Sequence, residues 1–275
     1  MLKEDNFASI RIDWNDKVEN IKEIAEELNI GLDSIVFFDD DPINRDYMRS
    51  ALPQVLTVEL SDSSSYSQTL KSINEFQVLN ITKEDTKRGK MYLNQRKRTE
   101  FQKQVGNLQD FLKQLNISVK IRKADEYTIP RISQLTLKTN QFNLTTRRYQ
   151  EEDIRKFVSE KNKIVECAEI QDKFGENGIT SVYIVKKDNQ QEWTLDTFLL
   201  SCRVMGRGIE EALLGQIIQR AKIEGIKKVK AQYIKTKKNK PAENFLSDFG
   251  FTKNEDVWIF ETKKPIKKSE HLVIS

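Results

Sequence analysis

A short glycine loop directly before a strongly amphipathic segment is the first place where this sequence could do chemistry. The loop contains two glycines, two arginines and two apolar residues: Arg203, Val204, Met205, Gly206, Arg207 and Gly208. A pyrophosphate binds to backbone N–H groups at the N-terminus of a helix, and glycines at this spacing leave that approach free of side chains. Glycines before a helix also form ordinary turns, and this alternative stays open. We predict that the loop binds a phosphate-bearing cofactor.

Cys202 directly precedes this loop and is a candidate nucleophile. An adjacent arginine and the start of a helix both favour the thiolate, which is the reactive form of cysteine. Such a thiol could accept an acyl group and pass it on to another thiol. Most lone cysteines are instead small buried residues of a core, and this alternative also stays open. Cys167 has no adjacent cation and is expected to be inert.

A run of aspartates follows a short apolar segment near the N-terminus. The segment is Ser34-Ile35-Val36-Phe37-Phe38, and Asp39-Asp40-Asp41-Pro42 comes directly after it. Carboxylates at the C-terminal end of a buried parallel strand face the usual ligand crevice, so Asp39 and Asp40 could hold Mg²⁺. One aspartate could equally cap a helix that begins at Pro42. Lys17 could balance a bound phosphate, although a lone lysine is usually solvated.

The elements that must position these groups fall into two blocks, each with alternating predicted helices and strands. In the first block, apolar residues at helical spacing predict a helix over 17–29, with Gly31 as its left-handed end. A buried strand, a helix and a second strand are predicted over 34–38, 42–51 and 56–60. This βαβ-like fragment is too short to close a doubly wound domain. A polar, charged stretch from residue 82 to about 105 then predicts a helical connector.

The second block has the element order of the GNAT acyltransferase fold, with one long helix after the fourth strand. The predicted strands span 117–123, 164–171, 178–186, 193–202, 228–235 and 256–262, and the predicted helices span 127–139, 150–160, 207–224 and 241–249. Amphipathic spacing makes the helix after the glycine loop the clearest of these elements. Asn239 resembles the residue that would hydrogen-bond a pantetheine arm, but a simple turn before Pro241 is an equal alternative.

Three long strings resemble the FkbH-like family, whose members join a haloacid-dehalogenase-like phosphatase domain to a GNAT-like domain. The first combines Phe7-Ala8, Trp14-Asn15-Asp16-Lys17, Asn29 to Ser34 and Phe38 to Pro42; the second runs from Leu135 to Thr146 and the third from Asp196 to Gly208. The resemblance covers nearly the whole chain up to about Lys264. It implies capture of a three-carbon glyceryl unit, removal of its phosphate, and transfer as a thioester to an acyl carrier protein.

The resemblance also implies roles for individual residues of the second block. The loop 203–208 and Asn239 would hold coenzyme A or the phosphopantetheine of a carrier protein. The wall of the acceptor pocket would be formed by Asn140, Gln141, Phe142 and Asn143. Their amides could bind the hydroxyls of a glyceryl group, and the alternative is a capped helix end with Phe142 in the core.

The phosphatase part of the family pattern is incomplete in this chain. Phosphatases of the haloacid-dehalogenase type use an aspartate nucleophile in an Asp-x-Asp-x-Thr segment, and no such segment is present. The resemblance would make Lys17 the phosphate-orienting lysine, with Asp39 and Asp40 as magnesium ligands in half of a site. We therefore expect an N-terminally truncated chain without phosphatase activity. Residues 1–80 would form a partial Rossmann-like fragment, 81–116 a helical connector, and 117–275 a GNAT-type α+β domain with a mixed, mostly antiparallel sheet.

The overall composition limits the classes of protein to which this chain could belong. A chain of 275 residues that is 37% hydrophobic and 32% charged suits two modest globular domains. No apolar run near the N-terminus suits a signal peptide or a membrane span, so we expect a cytoplasmic protein without a membrane partner. A net charge of +4 with interleaved signs gives little support for nucleic-acid binding. Two cysteines and the single histidine, His271, cannot assemble a zinc site, and no function is expected for His271.

The leading hypothesis is an acyltransferase that moves a glyceryl-type group to an acyl carrier protein. One alternative is a coenzyme A-dependent N-acetyltransferase, in which Glu166 or Glu169 could act as a base through water. The other alternative is a non-catalytic docking module for a carrier protein. Because a partial sheet leaves an exposed edge, the first block also predicts a possible homodimer.

Overall fold

The chain divides into two compact units, residues 1–103 and 104–275. The computed structural model describes residues 3, 6–60, 62–77, 87–266, 269 and 271–275. The first residues of the connector expected over 81–116 lie outside this described part. Its described part contains two helices, whose bounds are given below. Each unit is considered by itself.

The elements up to residue 105 are helices and two short strands. In chain order they are α1 (Lys17–Leu28), β1 (Val36–Phe37), α2 (Pro42–Ala51), β2 (Leu56–Thr57), α3 (Tyr66–Ser72) and α4 (Arg88–Val105). β1 and β2 pair in parallel, with Val36 opposite Leu56. The predicted strand, helix and strand are therefore present, and the two strands are shorter than the apolar runs that predicted them.

Local capping explains where the first two helices begin and end. The Asp16 carboxylate accepts the N–H of Val18 at 2.7 Å and starts α1. The left-handed residue that ends α1 is Asn29, with φ of 52°, whereas the expected Gly31 has an extended φ of −72°. The prediction of Gly31 was wrong because asparagine also tolerates the left-handed conformation. Asp41 caps α2 by accepting the N–H of Ile43 at 2.9 Å.

The helices of the first unit pack on its small sheet through apolar side chains. The amphipathic face of α1 and the inner face of α2 meet the strands in a buried cluster of Val18, Phe37, Met48, Leu52 and Val55. Burial of such side chains is the main favourable contribution to folding. The aspartate run lies directly after β1, so this cluster positions it.

The second unit contains the larger share of the regular structure. Its helices are α5 (Leu108–Leu115), α6 (Ile129–Lys138), α7 (Glu151–Ser159), α8 (Ile209–Ile223) and α9 (Phe245–Phe249). Its strands are β3 (Ile117–Lys123), β4 (Phe142–Asn143), β5 (Lys163–Asp172), β6 (Gly175–Lys187), β7 (Glu192–Leu200), β8 (Lys228–Ala231), β9 (Thr252–Asn254), β10 (Val257–Glu261) and β11 (Leu272–Ile274).

These strands form one mixed sheet. Their order is β11-β3-β5-β6-β7-β8-β10-β9, and β4 pairs with β7 in addition. Within the described part of this sheet, the pairs β11 with β3 and β7 with β8 are parallel, and the other pairs are antiparallel. The prediction of a mixed, mostly antiparallel sheet is confirmed.

Helices α6 and α7 cover a core on the sheet. This core includes Ile132, Ile154, Cys167, Val182 and Leu199, all buried. Helix α8 buries a broad face that includes Leu213, Leu214 and Ile218. A helix that packs against a sheet and its connecting segments is buried over more than one narrow stripe of its surface. No helix in the described part of the chain is long and apolar enough to cross a membrane.

Candidate functional site

The parallel strands β7 and β8 separate halfway along β7. Their pairing ends at Leu195 and Ala231. Beyond that point β7 pairs with β4, so that Phe142 faces Leu200. A gap between two parallel strands exposes backbone groups that must find other partners. Here a segment of the same chain supplies these partners.

The segment that follows α6 fills this gap. The N–H of Leu144 donates to the carbonyl oxygen of Phe198 at 3.1 Å, and the N–H of Ile234 donates to the carbonyl oxygen of Leu144 at 2.8 Å. Residues 142–145 are all buried. The segment is therefore a continuous part of the sheet, and β4 is a strand that the sequence did not predict.

This arrangement gives different roles to the four residues predicted for the acceptor pocket. The Asn143 side chain is fully buried; its amide donates to the carbonyl oxygen of Thr139 at 3.2 Å and its oxygen accepts the N–H of Thr146 at 2.9 Å. The Asn140 oxygen accepts a hydrogen bond from Arg148, and Gln141 is partly exposed. Phe142 alone among these four lines a large cavity.

Asn239 is held by backbone groups on both sides of the gap. Its amide donates to the carbonyl oxygens of Asn143 at 3.0 Å and Ile234 at 2.9 Å, and its oxygen accepts the N–H of Thr236 at 2.8 Å. The side chain is fully buried. These contacts commit its amide to the chain's own backbone, so Asn239 supports the gap and is not placed to hydrogen-bond a pantetheine arm directly.

The glycine loop lies directly before α8, as the sequence predicted. Gly206 and Gly208 have φ of 71° and 75°, a conformation that other residues adopt only with strain. Gly208 is the residue before the first turn of α8. A Cβ atom built on Gly206 would meet nothing within 4 Å, so this side of the loop is open. The backbone can therefore approach a ligand closely here.

The arginines of the loop are turned inward. Arg203 and Arg207 are both buried. One Nη of Arg207 lies 3.4 Å from the Asp172 carboxylate, and the other donates to the carbonyl oxygen of Arg203 at 2.7 Å. Val204 is fully buried and Met205 partly so. The guanidinium of Arg207 already has an anionic partner in Asp172, and a role for Arg203 and Arg207 in cofactor binding stays a prediction.

Two residues that the sequence interpretation did not assign to the site lie against this loop. The Glu210 carboxylate accepts the N–H of Gly206 at 3.1 Å. His271 lies with Nε2 2.8 Å from the carbonyl oxygen of Arg207, so Nε2 donates. A Cβ atom on Gly208 would be only 3.0 Å from the imidazole. Residue 271 lies beside the loop because β11 pairs with β3, and the expectation that His271 has no function stays a prediction.

A cavity of about 1060 Å³ opens at the N-terminus of α8. It is lined by α5, the start of α8, the segment before α9, α9 itself and the C-terminal segment, through Gln109, Leu112, Lys113, Phe142, Glu210, Glu211, Lys240, Pro241, Asn244, Phe245, Asp248, Phe249, Ser269 and His271. Its apolar wall includes the rings of Phe142 and Phe245, whose centroids are 5.1 Å apart. We call this space the α8 cavity.

A second cavity of about 700 Å³ lies at the end of β8. Its lining includes Gln232, Tyr233, Lys253 and Trp258. Asn244 lines both this cavity and the α8 cavity. Two spaces that share a wall residue offer room for two reactants.

The thiol of Cys202 is less acidic than the sequence suggested. Burial raises its pKa and outweighs Arg203, which lowers it. Burial also raises the pKa of Cys167 to about 12. The expectation of a favoured thiolate at Cys202 was therefore wrong, because burial disfavours the charged form of the thiol. A nucleophilic role for Cys202 stays a prediction.

The two carboxylates considered as bases on β5 are both paired with arginines. Glu166 is buried, accepts a hydrogen bond from the Tyr183 hydroxyl and lies 2.9 Å from Arg220. Glu169 lies 2.7 Å from Arg122. Neither lines the α8 cavity. Both carboxylates are thus engaged in ion pairs away from this cavity.

In the first unit, Lys17 and Asp39 are brought together. The Lys17 ammonium forms an ion pair with the Asp39 carboxylate, which also accepts the N–H of Asp41 at 3.0 Å. Burial alone would raise the pKa of Asp39, but these donors lower it. Asp40 is exposed.

Within the described residues, no three acidic, cysteine or histidine side chains are grouped so that they could hold a metal ion. The two aspartates therefore do not make a complete magnesium site by themselves. Metal binding at Asp39 and Asp40 stays a prediction.

Comparison with known proteins finds solved structures that are similar to about half of this chain. No protein-family model matches the sequence, and no curated protein matches it. The ribosomal-protein-S18-alanine N-acetyltransferase from Escherichia coli is 12% identical over 54% of this chain and 96% of its own, with a TM-score of 0.41. A GNAT family acetyltransferase from Elizabethkingia anophelis with acetyl-CoA bound is 16% identical over 50% of this chain and 78% of its own, with a TM-score of 0.36. A domain from Methanocaldococcus jannaschii is 16% identical over 52% of this chain and 96% of its own, with a TM-score of 0.42.

Proposed function

We propose that residues 117–275 form a GNAT-type acyltransferase whose acyl donor is a thioester of phosphopantetheine, carried by coenzyme A or by an acyl carrier protein. The observation that carries the proposal is the α8 cavity, which lies at the N-terminus of a 15-residue helix directly after the glycine loop. The N-terminus of a helix attracts anions through its free N–H groups and its dipole.

The size and lining of the α8 cavity support this donor. Binding sites for small molecules typically have volumes of roughly 300–1,000 Å³, and the α8 cavity has about 1060 Å³. The phenylalanine rings of its wall suit the apolar part of a pantetheine arm. Lys113 and Lys240 line the same cavity and could pair with phosphate. The open side of Gly206 leaves room for a phosphate oxygen at the loop.

Acyl transfer also needs space for an acceptor, and we assign the second cavity to this acceptor. An acceptor nucleophile attacks the carbonyl carbon of the thioester, the carbon–sulfur bond breaks, and the donor thiol leaves with the acceptor's proton. The two cavities share Asn244. An amide at that position could donate a hydrogen bond to the carbonyl oxygen, where negative charge develops.

The resemblance to the FkbH-like family supports a narrower form of this proposal. In that form the acyl group is a three-carbon glyceryl unit and the acceptor is the thiol of an acyl carrier protein. Exchange of one thioester for another is nearly balanced in energy, so the protein has mainly to bind and orient the two thiols.

Binding measurements test the donor site first. We expect coenzyme A, acetyl-coenzyme A or phosphopantetheinylated carrier protein to raise the melting temperature and to bind in titration calorimetry. Lys240→Glu should weaken coenzyme A binding several-fold, because Lys240 lines the α8 cavity. Lys237→Glu is the matched control, since it makes the same charge change at an exposed position nearby that is not part of the cavity lining.

The results of these measurements distinguish the general proposal of a donor site from the narrower proposal of glyceryl transfer. No stabilisation by any of the three ligands would refute the donor site, and equal losses in both lysine variants would show only a general charge effect. Mass spectrometry of a carrier protein incubated with a glyceryl thioester tests the narrower form. Binding without any gain in carrier mass would contradict glyceryl transfer.

A further inference from the structure

Glu210 lies against the glycine loop at the start of α8. It is the second residue of α8 and is only 7% exposed. One carboxylate oxygen accepts the N–H of Gly206 at 3.1 Å. The other oxygen is buried and has no hydrogen-bond partner in the described part of the chain. The same residue lines the α8 cavity.

We propose that Glu210 competes with the ligand's phosphate for the N–H of Gly206, so that phosphate-bearing ligands bind only when this carboxylate is protonated or displaced. The inference rests on the proposed donor site and adds a mode of regulation to it. A carboxylate and a phosphate oxygen both accept hydrogen bonds from the same N–H group, and both are negative. Their like charges repel one another, so an ionised Glu210 disfavours a phosphate at this N–H group.

The groups that face Glu210 come from several elements. Glu211 lies beside it on α8, and Arg207 lies in the loop. Across the α8 cavity lie Lys113 on α5, Lys240 before α9, Asp248 on α9 and His271 in the C-terminal segment. Burial, followed by the charge of Glu211, raises the pKa of Glu210 to about 7, while the Gly206 N–H and Arg207 oppose the rise. The negative charge of Glu210 is thus lost by protonation as the pH falls through about 7.

This geometry sets the direction of a pH effect on binding. The folded chain holds a neutral Glu210 below about pH 7 and an ionised one above it. Only the ionised form repels a phosphate, so affinity should rise as pH falls through this range. If binding requires the neutral form, the apparent dissociation constant is about tenfold larger at pH 8 than at pH 6.

The experiment is calorimetric titration with 3′-dephospho-coenzyme A at pH 6, 7 and 8. This probe carries a pyrophosphate diester and lacks the terminal phosphate monoester, which itself titrates near neutrality. Glu210→Gln keeps the shape of the side chain and removes its charge. We expect the parent's affinity to fall about tenfold from pH 6 to pH 8 and the variant's affinity to stay constant. The variant should bind about tenfold more tightly than the parent at pH 8.

Two variants serve as controls. Glu211→Gln removes the same charge from the neighbouring exposed residue and should leave most of the pH dependence in place. His271→Gln removes the imidazole that lies beside the loop and tests the other nearby group. Loss of the pH dependence in His271→Gln and not in Glu210→Gln would overturn the inference.

The same titrations also distinguish a failure of the proposed role of Glu210 from a failure of the proposed donor site. Binding by the parent with the same pH dependence in Glu210→Gln would overturn the role of Glu210 and leave the donor site standing. No binding by the parent or by Glu210→Gln at any of the three pH values would overturn both. Thermal melting of each variant at pH 6 shows whether it is folded.

Discussion

Replacing Glu210 by glutamine should stabilise the second unit above neutral pH. The Glu210 carboxyl is 7% exposed, and one of its oxygens is buried without a hydrogen-bond partner among the described residues. An ionised carboxylate in such a place is costly. Glutamine has nearly the same shape and can still accept the N–H of Gly206, but it carries no charge.

The size of the effect follows from the change in pKa on folding. The pKa of Glu210 rises from an ordinary value of 4.5 to about 7 in the folded chain. Stability is therefore greatest below pH 4.5, falls as pH rises to about 7, and is constant above it. The difference in proton binding corresponds to roughly 3 kcal/mol. We expect Glu210→Gln to exceed the parent by about that amount at pH 8.5 and by less than about 1 kcal/mol at pH 5.

Urea unfolding at these two pH values measures the difference. Trp193 is 1% exposed and lies in the second unit, whereas Trp14 in the first unit is fully exposed. The change in tryptophan fluorescence should therefore report mainly on the second unit. Glu211→Gln is the matched control, because Glu211 is exposed and its loss should change little. Parallel stability curves for the parent and Glu210→Gln would refute the reasoning.

Three further predictions concern the loop, the gap and the cysteines. Gly206→Ala and Gly225→Ala both place a methyl group in open space at a positive φ, so each should cost about 1–2 kcal/mol in urea unfolding. Only Gly206→Ala should weaken coenzyme A binding in calorimetry, and equal affinities would contradict a role for the loop. Asn239→Ala should lower the free energy of unfolding by about 2–4 kcal/mol, because it leaves buried backbone groups unpaired; urea unfolding that shows no loss would contradict this. In iodoacetamide labelling at pH 7.5 read by mass spectrometry, Cys202 should react faster than the fully buried Cys167 and more slowly than glutathione, and labelling of Cys202 at the glutathione rate would be the contrary result.

Local signals predicted most of the regular elements of the chain. Helix α2 begins at Pro42 with Asp41 as its cap, as the aspartate run and the proline indicated. Strand β3 spans Ile117–Lys123, the predicted range. These signals work because proline fixes φ and a side-chain cap involves only neighbouring residues.

Elements that depend on distant partners were missed. Strand β4 has two residues, Phe142 and Asn143, and exists because β7 and β8 separate and leave backbone groups to be paired. Strand β11 pairs with β3, which lies more than 140 residues earlier in the chain. Helix α9 begins at Phe245 and not at 241, because a short turn over Lys240–Ala242 precedes it. No short-range pattern indicates such pairings.

The sequence by itself determined the backbone of the candidate site. Two glycines before an amphipathic segment predicted a loop without obstructing side chains at the start of a helix, and Gly206 and Gly208 lie there with positive φ. The conformation is a local property, because it depends on the absence of a Cβ atom.

The tertiary structure alone decided which groups meet that loop. It turned Arg207 inward toward Asp172 and placed His271 against Gly208. It also buried the carboxylate of Glu210 at the N–H of Gly206. Burial and charge depend on what packs around a group from distant parts of the chain, and they set its pKa. For this reason the sequence indicated where a phosphate could bind, and only the folded chain placed the Glu210 carboxylate at the N–H group of Gly206.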